Sequence, residues 1–244
     1  MSPRITFAVA HRVLTQLRRD RRTVALLLVV PCVLLTLLWW MFDGEDVVFN
    51  RFGPPLLAMF PFIVMFLVTS VTTLRERSSG TLERLLTMPT GKADFLVGYA
   101  LAFGAVALAQ ALIAVGLTVG LLGLDVSGPV WMLAVIAVLD AVLGTALGLF
   151  VSAFAQTEFQ AVQFMPAVVL PQVLLCGLFV TRDALPPVLE AVSNVLPLSY
   201  AVDAMQRVTL DSGVSSEVRD LLVIAAFAVG ALALGAATLR RRTA

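Results

Sequence analysis

The sequence predicts an all-α integral membrane protein with six transmembrane helices, and three observations carry that prediction. Of its 244 residues 59% are hydrophobic and 14% charged, with a mean hydropathy of +0.96, whereas a soluble domain holds about 45–50% apolar and about 25% charged residues. Six apolar runs are each long enough to cross a hydrocarbon core about 30 Å thick, which takes about 20 residues in helix. None of them alternates as a barrel strand must, and a barrel needs more segments than these.

The chain begins with an amphipathic stretch. Ile5, Val9, Val13 and Leu17 recur at i, i+4 spacing while Arg4, His11, Arg12 and Arg18 fall elsewhere, the pattern of a helix lying flat at the headgroups. The first span follows at 23–42, with Trp39 and Trp40 as interface anchors at its far end. Its apolar run is too long for a cleaved secretory signal, and no small-x-small cleavage site comes after it. The second, third and fourth spans are expected at 54–74, 95–122 and 130–155. Gln156, Thr157 and Glu158 then form a short turn before the fifth, at 159–180.

Residues 184–210 are too polar to cross the bilayer, yet they retain Leu185, Val188, Leu189, Val192, Leu196, Met205 and Val208. Pro186, Pro187 and Pro197 divide this segment into an external hairpin of two short helices, the second starting near Pro197 or Leu198. It reads either as a cap over the last two spans or as an outer gate. The sixth span, 221–239, completes a single membrane domain over 1–244.

Arg and Lys are retained on the cytoplasmic side of a membrane protein. An N-terminus on that side places Arg4, Arg12, Arg18, Arg19, Arg21, Arg22, Arg75, Arg77, Arg84, Lys92, Arg240, Arg241 and Arg242 inside, against Arg51, Arg182, Arg207 and Arg219 outside. The outer face also collects Asp43, Glu45, Asp46, Asp125, Asp183, Glu190, Asp203, Asp211, Glu217 and Asp220. Both termini are therefore expected in the cytoplasm. Lys92 is the only lysine, an arginine bias that fits a GC-rich bacterial genome and a bacterial inner membrane.

The chemistry-bearing motifs are mostly absent. His11 is the sole histidine, so an HExxH zinc site is excluded, and no GxSxG elbow occurs. The one Gly-Lys pair, Gly91-Lys92, has Leu86 where a P-loop needs its first glycine and Ala93 where it needs a hydroxyl. Hence the chain is not expected to be an ATPase or to carry catalytic residues, a metal or a cofactor of its own. Cys32 and Cys176 lie inside apolar runs and suggest neither a disulfide framework nor a metal site. The balanced charge gives no sign of nucleic acid as a partner.

The cytoplasmic segment 75–94 is longer than a connection between two spans requires. Its residues Thr81, Leu82, Glu83, Arg84, Leu85 and Leu86 read as a short amphipathic helix bounded by Gly80 and Pro89. The apolar side, Leu82, Leu85 and Leu86, faces either a partner or the bilayer surface, and Glu76, Arg77, Glu83 and Arg84 can give a protein contact electrostatic register.

The run Arg75-Glu76-Arg77-Ser78-Ser79-Gly80-Thr81-Leu82-Glu83-Arg84-Leu85-Leu86, followed by Pro89, resembles the signature after the second span of type-2 ABC exporter permeases, the group containing daunorubicin-resistance membrane subunits. The likeness extends over the whole chain: the N-terminal amphipathic helix, six spans, the inner loop at Gln156 to Gln160, and the outer hairpin near Pro197 to Ala201. The resemblance implies that the Arg75 to Leu86 segment is a coupling helix docking on a separate ATP-binding cassette subunit, which binds ATP and Mg, with Gln156 and Glu158 on a second inner loop. It further implies that a second permease subunit, identical or related, completes the pathway, as in multidrug or antibiotic efflux.

Polar residues within the spans are the remaining candidates. Asp140, Gln110, Gln163 and Gln172 read either as pathway groups or as interhelical packing contacts, and Asp140 is expected to face protein or water rather than lipid. Gly116, Gly120, Gly144 and Gly148 supply small-xxx-small spacing for close helix approach. Pro61, Pro166 and Pro171 are expected to kink their spans. A proton-coupled secondary transporter using Asp140 is one alternative, although it would call for paired intramembrane carboxylates and an internal repeat, and the spans offer one Asp and no convincing repeat. A non-transporting sensor or immunity protein with the same fold stays open as an alternative. The spans offer mostly Phe, Val, Leu and Ala, so a lipophilic drug, natural product or lipid is the expected cargo.

Overall fold

The computed structural model describes residues 2–78, 92–210 and 217–238. Nine α-helices occur among the described residues: α1 (Pro3–Arg19), α2 (Arg21–Met41), α3 (Asp46–Ser78), α4 (Lys92–Gly120), α5 (Val130–Ser152), α6 (Glu158–Leu175), α7 (Pro187–Ser193), α8 (Pro197–Leu210) and α9 (Glu217–Thr238). Six of them, α2, α3, α4, α5, α6 and α9, are long and apolar enough to cross a membrane.

Helices α3 and α5 form the most extensive helix pair. Gly144 and Gly148, one helical turn apart on α5, press against α3 so closely that a Cβ at either position would overlap the carbonyl oxygens of Phe62 and Phe66. Small residues permit this approach where lipid gives helices no hydrophobic reason to associate. Phe62, Phe66, Leu133, Ile136 and Leu143 are fully buried around the seam. Gly116 and Gly120, which share the same spacing, meet no neighbouring atom. They lie on an open face of α4, so the expected close packing holds for the α5 pair and not for the α4 pair.

Helix α1 forms as its periodicity predicts, but its apolar stripe turns toward protein. Val9, Ala10, Val13 and Leu17 are buried with Tyr99, Ala102 and Phe103 of α4. The crossing is tight at Gly98, where a Cβ would lie 2.8 Å from that of Val9 and 2.9 Å from the Thr6 carbonyl. The amphipathic helix is thus seated on the bundle along one face.

Several boundaries differ from the sequence expectation for local reasons. The second span starts at Asp46 rather than 54, because Phe49 is buried, Gly53 lies beside Leu124, and Asn50 both donates to Asp125 (2.9 Å) and accepts its N–H (3.0 Å). The same helix runs on to Ser78, so Arg75, Glu76 and Arg77 belong to its last turns and not to a loop. The fourth span stops at Ser152, whose hydroxyl donates to the Leu149 carbonyl (2.7 Å). The fifth ends at Leu175 instead of 180. Gly177, at φ +94°, turns the chain there, and the Ser193 hydroxyl takes up the freed Leu175 carbonyl (2.8 Å). The prolines at 31, 54, 55, 61, 166 and 171 lie inside helices that continue through them.

The hairpin forms with its second helix beginning at Pro197, as expected, but α8 is more than an outer cap. It packs on α3, α5, α6 and α9 with Leu198, Ala201, Val202, Ala204 and Met205 fully buried. The Val208 and Thr209 carbonyls accept the N–H groups of Gly128 and Ser127 just before α5 (2.9 and 3.2 Å). From that anchor the helix runs about 20 Å, at 1.5 Å per residue, back alongside the spans. Gln172 ties its start to α6, accepting the Leu198 N–H (3.4 Å) while donating to the Val168 carbonyl (3.1 Å). Arg182 clasps the hairpin from outside, bonded to Asp203 and Asn194 and lying 5.0 Å from the centre of the Tyr200 ring.

Replacing Gly144 or Gly148 by Leu is expected to cost about 1–3 kcal/mol through overpacking, lowering the melting temperature of the detergent-solubilised protein. Gly116→Leu and Gly120→Leu should leave that temperature unchanged, since each side chain would enter open space.

Candidate functional site

The candidate site lies at the end of the bundle where α1, α3, α4 and α6 meet, and it is built on the last turns of α3. Helix α3 brings Arg75 and Glu76 there side by side, pointing to different neighbours. Glu76 faces inward and is buried. Arg12, from the polar flank of α1, places one guanidinium nitrogen 2.8 Å from each Glu76 carboxylate oxygen and 3.2 Å from the Tyr99 hydroxyl of α4. One cation therefore joins three helices. The Glu76 side chain is 8% exposed and that of Arg12 33%, so the pair is partly withdrawn from water and its members depend on one another.

Arg75 turns the other way. Its guanidinium meets the Glu158 carboxylate with two bonds, 2.9 and 3.1 Å long, the fork-to-fork geometry that fixes orientation. Both side chains are more than half exposed, so this contact sets register more than stability. Leu74, Ala155 and Ala161 are buried together beside it. The start of α6 is held by its own cap: the Thr157 hydroxyl accepts the Gln160 N–H (3.1 Å), and the Gln160 side chain accepts the Gln156 N–H (2.8 Å). That is the T-x-x-Q pattern of a helix start.

At the beginning of α4, Asp94 is buried and accepts the Ser2 N–H (2.9 Å) and the Thr6 hydroxyl (3.2 Å). Near the end of α3 and the start of α4, Glu76 and Asp94 are thus both fastened to α1.

The structure brings Arg75, Glu76 and Glu158 into one corner, with Gln156 in the adjoining turn. Arg77 is on the last turn of α3. Gly80, Thr81, Leu82, Glu83, Arg84, Leu85 and Leu86 lie outside the described residues, as do Arg240, Arg241 and Arg242. Arg12, Asp94, Gly98 and Tyr99 were not singled out from the sequence as site residues. Only a polar residue flanking the apolar stripe of α1, a glycine in the third span and an acid at the start of that span marked them.

The in-span polar residues do not converge on this corner. Asp140 and Gln110 are buried, and their side-chain oxygens and amide have no hydrogen-bond partner among the described residues; the same holds for the hydroxyls of Thr69, Ser70 and Thr73 on α3. Gln172 is the interhelical bridge between α6 and α8. Gln163 is exposed on the surface of α6.

In this corner α1 is fastened to the end of α3 and the start of α4. The ABC-2 type transporter model matches residues 5–210. The chain belongs to the ABC-2 type transporter family. Among its relatives are the probable multidrug ABC transporter permease YbhS of Escherichia coli K12, 26% identical over 149 residues that make up 61% of this chain and 40% of the relative, and the inner membrane transport permease YhhJ of the same organism, 28% identical over 149 residues, 60% and 39%. ABC transporter G family member 20 of Dictyostelium discoideum is 27% identical over 160 residues, 65% and 22%. The chain spans about two fifths of the length of these bacterial relatives. The family match runs from the first turn of α1 through the end of α8, and so includes Arg12, Arg75, Glu76, Asp94, Tyr99 and Glu158.

Truncating Arg12 to Ala should leave Glu76 buried without its cation and cost about 1–3 kcal/mol, whereas Arg75→Ala, at an exposed pair, should cost less than about 1 kcal/mol. Thermal unfolding of the two variants side by side in one detergent checks the ranking, and equal losses would contradict the burial-based assignment.

Proposed function

We propose that this chain is the membrane-spanning subunit of an ATP-driven exporter, and the fastening of α1 to both ends of the inner connection is the observation that supports the reading most. The Arg75 to Leu86 segment serves as the coupling helix on a separate ATP-binding cassette subunit, which carries ATP and Mg; this chain breaks no bond itself. When two such ATPase subunits close, the push on that segment reaches Glu76 at one end and Asp94 at the other. Because Arg12 and Thr6 hold both points, α1, α3 and α4 respond together, and Arg75–Glu158 carries the displacement to α6. Closure then favours one of two arrangements of the spans, by the differential affinity of ATP for the two.

A second permease subunit, identical or related, completes the pathway. Two features of the surface support this. Only 17% of the apolar window of α2, and of that of α6, lies inside the protein, against 61% for α5, and α6 carries the exposed Gln163 on a surface that lipid alone would not favour. The unpartnered buried groups Asp140, Gln110, Thr69, Ser70 and Thr73 fit spans that rearrange, since such groups are ordinarily satisfied in a structure's resting partners or by water. Asp140 then acts in packing. The cargo is a lipophilic small molecule, drug-like or lipid-like, leaving the cytoplasm of a bacterial cell across its inner membrane, with both termini of this chain on the inner side.

Co-purification with the ATPase encoded beside the gene tests this. Wild type is expected to retain the ATPase, and Glu83→Arg and Leu82→Asp to lose it at equal membrane expression. Absence of any associated ATPase from the wild type would remove the exporter reading.

A further inference from the structure

The elbow between α1 and α2 carries Arg18, Arg19, Arg21 and Arg22, all exposed, and none of them enters an ion pair among the described residues. Arg18 and Arg19 end α1, where the helix dipole welcomes cations. Arg21 and Arg22 begin α2, where it does not. The only acid in the elbow, Asp20, is turned to its own helix start: it accepts the Thr23 N–H (3.1 Å) and the Thr23 hydroxyl (2.6 Å). These hydrogen bonds hold the Asp20 carboxyl below its ordinary range, so it stays ionised and offsets a single arginine.

Immediately beside the elbow lies a cleft of about 590 Å³ between α1, α3 and α6. Val13, Leu17, Leu67, Val68, Val71 and Val162 make its apolar wall, and Gln16, Asp20, Thr23, Thr72, Arg75 and Glu76 complete the lining. Along α3 it runs from Leu67 to Glu76, about 13 Å at the helical rise. The four arginines flank Asp20, itself part of the cleft's lining, in the elbow where α1 meets α2.

We propose that the elbow and cleft together hold one anionic phospholipid, its phosphate on the arginines at 18, 19, 21 and 22 and one acyl chain along Leu67, Val68 and Val71. A zwitterionic headgroup would leave all of the surplus charge standing, whereas an anionic one offsets part of it. The inference depends on the chain being embedded in a membrane and is independent of ATPase docking. A lipid in this position touches α3 where Arg75 and Glu76 arise, so leaflet composition bears directly on that corner.

The test uses the full chain in phosphatidylcholine nanodiscs with a trace of phosphatidylglycerol bearing a photoreactive acyl chain, compared with the same probe on phosphatidylcholine, and mass-spectrometric mapping of the labelled peptides. The phosphatidylglycerol probe should label the peptides containing Val13, Val71 and Val162 at least about tenfold more strongly. Changing the four arginines together to glutamine should reduce that labelling to the phosphatidylcholine level, while changing them to lysine should keep it; Asp20 is untouched in both, so the α2 cap survives. Val71→Trp should displace label from the cleft with the arginines intact. Equal labelling by the two probes, or labelling indifferent to the glutamine changes, would overturn the proposal. So would displacement of the probe by the ATPase subunit, which would assign the arginines to a protein interface.

Discussion

Helix α3 can reach α5 only because positions 144 and 148 have no side chain, and much of the bundle is arranged around that seam. In lipid no solvent drives helices together, so association rests on contact area and on how closely two backbones come. The carbonyl oxygens of Phe62 and Phe66 occupy the space that two Cβ atoms would fill. Helix α8 then lies against both members of the pair, α9 against α5, and α6 against α3. A single seam thereby links the α7–α8 hairpin to the corner at Arg75 and Glu76, since α3 runs without a break from Asp46 to Ser78.

At the Arg75 and Glu76 end of α3 the physics changes from packing to charge. Arg12 and Glu76 are held in a place half withdrawn from water, where each is costly alone and acceptable together. On the proposed reading this is what a relay requires: a contact that does not slip when pushed. The exposed Arg75–Glu158 pair beside it is weaker and, being screened, better suited to breaking and re-forming between two arrangements. The arginine elbow would add a third influence at the same corner, from the lipid.

Much of the fold was legible because the bilayer imposes so simple a demand. Six runs of about 20 apolar residues admit few other structures, and the family resemblance of the Arg75 to Leu86 run agrees with the match over residues 5–210. What the sequence did not reveal depends on partners far along the chain. Gly116 and Gly120 have the same spacing as Gly144 and Gly148, yet spacing does not say which face meets a neighbour. Residues 176–180 are as apolar as any span, but Gly177 at a positive φ and the Ser193 hydroxyl end the helix before them. Arg12 looked like a solvated flank of α1 because its partner is 64 residues away. Gln172 accepts the Leu198 N–H, a partner 26 residues further along the chain that no spacing in the sequence marks.

The claim on which the account turns is that Arg12 and Glu76 carry motion between the ATPase and the spans. It is tested most directly by reversing the pair in the reconstituted complex and measuring ATP hydrolysis that depends on the assembled permease. Arg12→Glu and Glu76→Arg alone should each lower that rate about tenfold, a loss of about 1.4 kcal/mol, and the double reversal should restore most of it, a coupling within the range of residues in direct contact. Single reversals without effect, or a double variant no better than either single one in a protein that still assembles with its ATPase, would contradict it.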